Sequence, residues 1–251
     1  MSTKLLHIFL FALLAVSCFA GKRGLAWPWN GVAQDFGLFA NSGKIGWVYN
    51  WESWRPAGLP GRFEYVAMQR TASGIQNLRG NMQNNHAKVL LGFNEPDIGS
   101  QANMSPDTAV NLWRQYINPV AKQFGLRVGS PAISNGANGI NWLKSFMNKC
   151  SGCRVDFVAC HWYGPSFEHF RSHIENVHRN FPNKRIWVTE FALQGNPSAG
   201  AQQNFMRQAT AYLESSGFVE RYSWFGAFRG GAGNNLIGGN GGLTNLGRAY
   251  N

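Results

Sequence analysis

Short apolar runs recur eight times along the chain, and segments with helical periodicity separate the later ones. Several runs, such as Val89-Leu90-Leu91-Gly92-Phe93, are continuously apolar, which is typical of a strand covered on both faces. Strands that alternate with helices form crossover units and therefore a parallel sheet. We predict strands over Arg23–Trp29, Ile45–Trp51, Phe63–Gln69, Lys88–Asn94, Arg127–Ile133, Val155–Tyr163, Arg185–Phe191 and Arg221–Phe228.

Helix signals are clearest in the second half of the chain. Ser105-Pro106 is an N-cap followed by proline, and the periodic stretch after it ends at Phe124 before a glycine. By contrast, Thr71–His86 is polar and only weakly periodic, so helices in the first half are predicted to be irregular or missing. Further helices are predicted at Asn141–Lys149, Ser166–Asn180 and Ala201–Ser216.

Eight strand–helix units in about 230 residues fit one closed (β/α)8 TIM barrel, an α/β fold that takes about 250 residues. The alternative is an open, doubly wound sheet. Such a sheet favours a glycine-rich phosphate turn after an early strand, and the chain contains no G-x-G-x-x-G sequence. The sequence therefore favours the barrel.

The first twenty residues are predicted to be a signal peptide. Lys4 supplies a positive start, Leu5–Val16 is an apolar run broken only by a histidine, and small residues precede a cleavage point after Ala20. The run is short for a membrane span, which needs about 20 residues, so an anchor is the weaker alternative. We therefore expect residues 21–251 to form one secreted domain with no membrane attachment.

Three cysteines follow the predicted signal peptide, which is an odd number. Cys150 and Cys153 are separated by two residues and could close a small disulfide ring or act as a redox pair. No strand leads into Cys150 as in thioredoxin-like proteins, and two thiols alone cannot build a tetrahedral zinc site. A local disulfide between Cys150 and Cys153 is favoured, with Cys160 as a buried free thiol.

Two glutamates stand at predicted strand ends. Glu95 follows the fourth strand in Asn94-Glu95-Pro96, and Glu190 lies near the end of the seventh in Thr189-Glu190-Phe191. Function gathers at the C-terminal ends of barrel strands, so these carboxylates could flank a scissile bond. The chain has only 12 acidic residues against 23 Lys and Arg, which gives each acid at a strand end more weight.

Other polar and aromatic residues fall at the same predicted end of the barrel. His161 and Tyr163 are two apart on one strand face, so Tyr163 could donate to Glu190 with His161 beside it. Indole rings pack well on the C–H faces of sugars. The aromatic and amide candidates for sugar binding near the first two strand ends are Trp27, Trp29, Asn50 and Trp51.

The order and spacing of these motifs resemble glycoside hydrolase family 128 of clan A, the fungal-type "glycosyl hydrolase catalytic core" group of endo-β-1,3-glucanases. The resemblance covers nearly the whole chain after residue 20. It rests on Arg23-Gly24-Leu25-Ala26-Trp27, Tyr49-Asn50-Trp51, Leu91-Gly92-Phe93-Asn94-Glu95-Pro96-Asp97, Gly129-Ser130-Pro131-Ala132, Cys150-x-x-Cys153-x-Val155-Asp156-Phe157, His161-Trp162-Tyr163-Gly164, Trp187-Val188-Thr189-Glu190-Phe191 and Glu220-Arg221-Tyr222-x-Trp224-Phe225.

The resemblance implies retaining hydrolysis of β-1,3-glucan, with endo action favoured over exo. Glu95 would be the general acid/base and Glu190 the nucleophile, with carboxyl groups roughly 5–5.5 Å apart. Asn94 would bind the sugar 2-OH, and Trp224 would form the floor of the −1 sugar site. The expected partner is a β-glucan polysaccharide or oligosaccharide, bound by a monomer without metal or cofactor.

The sequence departs from the family pattern at the third strand end. The family usually has Val-Pro-Met-Leu-Trp there, whereas this chain has Val66-Ala67-Met68-Gln69-Arg70. An aromatic platform is thus replaced by an amide and a cation. A glucan-binding protein without activity and a glucan transglycosylase therefore remain alternatives. The net charge of +11 comes without a Lys/Arg cluster longer than Lys22-Arg23, which argues against nucleic acid as a partner.

Overall fold

Eight parallel strands form one sheet in the computed structural model, which describes residues 21–230 and 233–251. The predicted signal peptide, residues 1–20, lies outside the described residues. The order in the sheet is β5-β4-β3-β2-β1-β8-β7-β6. The strands are β1 (Arg23–Ala26), β2 (Ile45–Tyr49), β3 (Glu64–Met68), β4 (Val89–Leu91), β5 (Arg127–Val128), β6 (Phe157–Gly164), β7 (Arg185–Leu193) and β8 (Val219–Trp224).

The ring is nearly closed between β5 and β6 by single bridges. Gly129 pairs with Phe157 and Ile133 pairs with Cys160, both in the parallel sense. The backbone N–H of His161 donates to the carbonyl of Ile133 at 2.8 Å. Each of the eight predicted strands is present, and the predicted (β/α)8 barrel is confirmed.

Several strands are shorter than predicted. The first was expected to reach Trp29 but ends at Ala26, and the fifth was expected to reach Ile133 but ends at Val128. Pro28 and Pro131 lie in the lost portions, and proline has no N–H for a ladder. The chain still follows the barrel beyond β5 through isolated bridges of Asn94 with Ala132 and of Ile133 with Cys160.

Helices are fewer and shorter in the first half of the described chain, as predicted. Only a 3-10 helix over Ala33–Phe39 joins β1 to β2, and no helix joins β2 to β3. The weakly periodic stretch after β3 forms a 3-10 turn and one helix of eight residues. The α-helices are α1 (Leu78–Asn85), α2 (Pro106–Leu112), α3 (Asn118–Phe124), α4 (Gly139–Lys149), α5 (Phe167–Asn180), α6 (Ala199–Ser215) and α7 (Asn245–Tyr250), with a π-helix over Trp113–Ile117 between α2 and α3. None of the described helices combines the length and the apolar character that a membrane crossing requires.

The buried apolar residues separate into two layers. One lies between strands and helices and includes Trp113, Phe170 and Trp224. The other fills the barrel, where Trp47 lies 5.3 Å from Trp187 between ring centroids. Burial of apolar surface at roughly 25 cal/mol per Å² stabilises both layers. The packed barrel interior forms a rigid base below the strand ends that carry the candidate site.

A disulfide joins Cys150 and Cys153, whose Cα atoms are 5.3 Å apart, in the turn between α4 and β6. Cys160 is a buried free thiol. Burial raises the pKa of this thiol to about 12, so it is protonated and unreactive at neutral pH.

We expect the double substitution Cys150→Ala and Cys153→Ala to lower the free energy of unfolding, because the cross-link restricts the unfolded chain. The loss should be only about 2 kcal/mol, because the closed loop is very short. Urea unfolding followed by circular dichroism measures the difference. Reductant should bring the wild-type protein to the stability of the double variant and leave the variant unchanged. Equal stability of both proteins without reductant would contradict this account.

Candidate active site

Two glutamates project into one cavity at the C-terminal end of the barrel. Glu95 lies four residues after β4, and its backbone has a φ of 44°. Such left-handed backbone is strained for a residue other than glycine and is concentrated at functional sites. A hydrogen bond from the N–H of Glu95 to the carbonyl of Ala132 (2.8 Å) helps to hold this conformation.

Glu190 reaches the cavity because strand β7 contains a bulge. Trp187 pairs with Ala159 and Val188 with Cys160, but the next pair is Glu190 with His161. Thr189 is therefore an extra residue that reverses the alternation of the strand. In a regular strand Trp187 and Glu190, three residues apart, would face opposite sides of the sheet. The bulge places both inside the barrel, with Trp187 in the core layer and Glu190 above it.

Two side chains donate hydrogen bonds to the Glu190 carboxylate. The Tyr163 hydroxyl donates to Oε2 at 2.5 Å, and the Trp51 indole N–H donates to Oε1 at 2.7 Å. The Tyr49 hydroxyl lies 3.4 Å from Oε1 but donates to the nearer carbonyl of Thr189 at 2.9 Å. Burial and the charge of Glu190 raise the pKa of both tyrosines, so their hydroxyls stay protonated. These donors favour the ionised form of the carboxylate.

His161 bridges the two glutamates from below. Its Nδ1 lies 2.9 Å from Oε1 of Glu95 and 3.4 Å from Oε2 of Glu190, and its ring is fully buried. Burial acts to lower the pKa of His161, but the charges of Glu190 and Glu95 outweigh it. The pKa of the ring is therefore raised above 6.5, and Nδ1 lies where it can donate to the carboxylates.

The carboxylate oxygens of the two glutamates lie close together. One oxygen of Glu95, one oxygen of Glu190 and a ring nitrogen of His161 are all within 4.8 Å of one another. Among the described residues no other group of three His, Cys, Asp or Glu side chains approaches so closely. The nearest oxygens of the two acids are thus separated by no more than 4.8 Å.

The cavity around the two acids has a volume of about 510 Å³. Trp51 lies on its wall, stacked 5.9 Å from Phe228, and also has left-handed backbone with a φ of 58°. A mixed lining of aromatic rings, amides and acids suits a polar ligand with apolar faces, such as a sugar. The lining residues are Pro28, Trp29, Asn30, Trp51, Glu52, Arg70, Asn94, Glu95, Gln101, Tyr163, Glu190, Phe225 and Phe228.

The structure brings part of the predicted site together. Trp29, Trp51, Asn94 and Tyr163 line the cavity with the two glutamates. Trp29 is 62% exposed and can meet a ligand at the rim. The amide oxygen of Asn94 is buried without a hydrogen-bond partner among residues 21–230 and 233–251. A buried acceptor of this kind requires a donor from a ligand or water.

Three residues predicted to bind substrate are buried in the core and do not line the cavity. Trp27 stacks on Phe36 at 3.9 Å, and Trp224 is fully buried with its indole N–H bonded to the Asn234 carbonyl. Asn50 is fully buried, and its amide bonds to the carbonyl of Trp54. Each is near a strand end, but its side chain points away from the cavity.

His161, also predicted to bind substrate, has no exposed surface. It contacts Glu95 and Glu190 from below and is not part of the cavity lining. Sequence analysis missed Tyr49, although its position two residues before Trp51 on one strand face was a usable signal. Phe225 and Phe228 were also missed, because they follow β8 in irregular chain where no periodicity indicates direction.

His161, Glu95 and Glu190 carry atoms that could ligate a metal ion, whereas the sequence predicts no metal site. Nδ1 of His161 lies within hydrogen-bonding distance of one carboxylate and close to the other. A ring nitrogen that donates a hydrogen bond to a carboxylate cannot ligate a metal at the same time. We expect activity to survive dialysis against EDTA undiminished. Loss of activity that Zn²⁺ or Mg²⁺ restores would contradict the prediction.

The raised pKa of His161 predicts a pH dependence of stability. Its contribution is fully present below the unfolded-state value of about 6.5 and is lost as pH rises through the higher folded-state pKa. The difference in unfolding free energy between wild type and His161→Asn should therefore shrink as pH rises from 6 through this range. Urea unfolding at several pH values measures it, with His178→Asn as the control. A constant or growing difference would contradict the assignment.

A parallel barrel with two carboxylates facing each other at its C-terminal mouth is the architecture of a glycoside hydrolase. The family "Glycosyl hydrolase catalytic core" has a sequence model that matches residues 24–250. The chain belongs to this family.

Solved structures of similar proteins are glucanases of glycoside hydrolase family 128. A subgroup III curdlan-specific exo-β-1,3-glucanase from Blastomyces gilchristii, in complex with glucose, is 39% identical with a TM-score of 0.80, covering 92% of this chain and 98% of that one. A subgroup IV endo-β-1,3-glucanase from Lentinula edodes is 28% identical with a TM-score of 0.80, covering 92% and 100%. A mutant subgroup I endo-β-1,3-glucanase from Amycolatopsis mediterranei, in complex with laminaripentaose, is 30% identical with a TM-score of 0.75, covering 92% and 98%.

A curated relative is Alkali-sensitive linkage protein 1 of Schizosaccharomyces pombe, which is 38% identical over 93% of this chain. The match covers 45% of that protein, so the chain spans less than half the length of this relative.

Proposed function

We propose that this protein is a retaining hydrolase of β-1,3-glucan in which Glu95 is the general acid/base and Glu190 the nucleophile. The observation that carries the proposal is the approach of the two carboxylates to within 4.8 Å, with His161 shared between them. Inverting enzymes separate the corresponding groups by about 6.5–9.5 Å, to leave room for a water. The close approach of the nearest oxygens here supports the shorter separation of retaining enzymes, roughly 5–5.5 Å between carboxyl groups.

Unequal hydrogen bonding supports the division of roles between the acids. Glu190 receives hydrogen bonds from Tyr163 and Trp51, which favour a carboxylate able to attack the anomeric carbon. The side chain of Glu95 bonds only to His161 among the described residues, which leaves its other oxygen available to carry a proton. Glu95 would protonate the leaving oxygen and then remove a proton from the attacking water.

Asn94 supports the binding of a sugar beside Glu95. Its unpartnered amide oxygen would accept a hydrogen bond from the sugar 2-OH, and its amide nitrogen already donates to Gln101 at 3.3 Å. A hydrogen bond to the 2-OH strengthens as charge develops on the ring. Trp51 and Phe228 would offer apolar surface to the same or a neighbouring sugar.

The β-1,3 linkage is supported by the similar proteins, which include structures described with laminaripentaose and laminarihexaose. Those proteins include both endo- and exo-acting enzymes, while the sequence resemblance favours endo action. Secretion after removal of residues 1–20 and action as a monomer also belong to the proposal. N-terminal sequencing of exported protein and size-exclusion chromatography test these two points.

The experiment that tests the function is a panel of β-1,3, β-1,4, β-1,6 and mixed-linkage glucans, with product sizes followed over time. We expect turnover of laminarin or curdlan, with early intermediate-sized products if action is endo. Binding of laminarin without turnover would instead support the glucan-binding alternative. Formation of longer chains at high acceptor concentration would support the transglycosylase. Glu190→Gln serves as the inactive reference.

A further inference from the structure

Basic residues mark the end of the barrel opposite the cavity. All strands are parallel, so their N-terminal ends share one face, and each of the eight begins at or within three residues of a Lys or Arg. The cavity end instead has three carboxylates, Glu52, Glu95 and Glu190, and one cation, Arg70. The basic residues at the strand starts are Lys22, Lys44, Arg62, Lys88, Arg127, Arg154, Arg185 and Arg221.

Many of these cations keep their charge although they are hydrogen-bonded. Lys22 donates to three carbonyls at the end of α6, and Arg62 donates to the carbonyls of Phe39 and Ser42. Carbonyls at helix ends carry only partial negative charge, so such contacts neutralise little of a full cation. Arg127 and Arg221, by contrast, are paired with Glu220 and Glu64.

A concave site of about 590 Å³ lies on this side of the molecule, between the π-helix and α3 on one side and the disulfide turn on the other. It is lined by Arg114, Asn118, Pro119, Lys122, Gly152 and Arg154, with no carboxylate among them. The three cations are exposed. Helices return toward the strand starts, so Lys122, near the end of α3, and Arg154, just before β6, lie far from the catalytic mouth.

The three cations differ in their contacts, and among the described residues only Arg154 is paired with a carboxylate. Arg114 donates to the carbonyl of Lys149 at 2.9 Å, and the backbone N–H of Arg154 donates to Asn118 at 2.9 Å. The Arg154 side chain uses its Nε on Asp156 at 2.9 Å, which leaves its two terminal nitrogens free. The Lys122 ammonium has no hydrogen bond or ion pair among residues 21–230 and 233–251.

The geometry points to a binding site for an acidic polysaccharide at this groove, which we name the basal groove: Arg114, Asn118, Pro119, Lys122, Gly152 and Arg154. Guanidinium groups bind carboxylates in a two-pronged manner, so a uronate-bearing chain suits a groove lined by two arginines and a lysine. A concave groove fits a linear chain better than a flat membrane. Binding there leaves the cavity open, so the protein would be held on an acidic matrix while its mouth remains free.

The inference does not rest on hydrolysis. It is tested by affinity electrophoresis of full-length mature protein in gels containing polygalacturonate, with neutral dextran gels as the reference. The groove variant carries Arg114→Gln, Lys122→Gln and Arg154→Gln. The control variant carries Arg171→Gln, Arg179→Gln and Arg207→Gln, which remove the same charge from α5 and α6, where all three residues are exposed.

We expect retardation of wild type by polygalacturonate, with affinity about tenfold lower in the groove variant at 0.1 M salt, a loss equivalent to about 1.4 kcal/mol. The control variant should change less than about twofold. Lys122→Gln alone, which breaks no described contact, should weaken binding in the same direction. Circular dichroism and laminarin turnover should be unaltered in all variants.

Three results would overturn the inference. Equal weakening in groove and control variants would mean that diffuse charge alone is responsible. Equal mobility of wild type in polygalacturonate and dextran gels would mean that no acidic polysaccharide binds. Stronger groove-dependent binding to single-stranded DNA or to phosphatidylserine vesicles than to polygalacturonate would assign the groove to another class of partner.

Discussion

Replacing Glu190 by glutamine is expected to lower kcat/KM on laminarin by at least about 10⁴-fold, a loss of the size seen when a covalent nucleophile is removed. Glutamine keeps the shape of the side chain: its carbonyl oxygen can accept from Trp51 while its NH2 group donates to the Tyr163 hydroxyl oxygen. It cannot form the glycosyl-enzyme, because an amide is a far poorer nucleophile than a carboxylate. Reducing-sugar release and intact-protein mass spectrometry measure the two consequences.

Glu52→Gln is the matched control for this prediction. Glu52 lines the same cavity but has no side-chain contact with His161 or Glu190. It should retain activity within about tenfold, the range of one lost polar contact to substrate. Full activity of Glu190→Gln, or equal losses in the two variants, would refute the nucleophile assignment. Unchanged unfolding of Glu190→Gln separates a chemical defect from a folding defect.

Glu95→Gln is expected to lower turnover of laminarin by about 10³-fold, within the usual contribution of general acid–base catalysis. An aryl glucoside with a dinitrophenolate leaving group needs no protonation of that group. Its first step, release of the phenolate, should therefore slow by less than about tenfold. Stopped-flow detection of the phenolate separates this burst from the slow second step, in which Glu95 would activate water.

Azide distinguishes the two acids further. In Glu95→Ala, azide should attack the glycosyl-enzyme and accelerate the second step, giving a β-glycosyl azide with retained configuration. In Glu190→Ala, azide should take the place of the missing nucleophile and give the α-anomer. The reverse pairing of variants and products would exchange the roles of Glu95 and Glu190.

Most of the fold could be predicted from the strand pattern, because a strand covered on both faces is a continuous apolar run in the sequence. Val89–Leu91 and its neighbours are such runs. The ends of strands were less predictable, because Pro28 and Pro131 interrupt pairing inside otherwise strand-like segments. The 3-10 helix Ala33–Phe39 was also beyond prediction, since its burial against Trp27 is a tertiary effect.

The two glutamates could be predicted as site residues because both stand at strand ends. The directions of the neighbouring aromatic side chains could not be predicted. Trp27 and Trp224 occupy strand-end positions as Trp51 does, yet they face the helices. Sequence alternation cannot tell these directions apart where strands end and irregular loops begin. The left-handed backbone of Trp51 turns its ring toward Glu190, and nothing in the sequence marks that turn.

The bulge in β7 determines whether the Glu190 carboxylate faces the cavity or the helices. Trp187 packs in the core inside the barrel. Glu190, three residues later, faces the same side because Thr189 has no pairing partner on β6. If Thr189 instead paired in register, hydrogen bonding and hydrophobic burial would remain largely satisfied, but Glu190 would turn into the helical layer. The barrel could thus persist while the Glu190 carboxylate faced away from the cavity, with every other side chain of the mouth still in place.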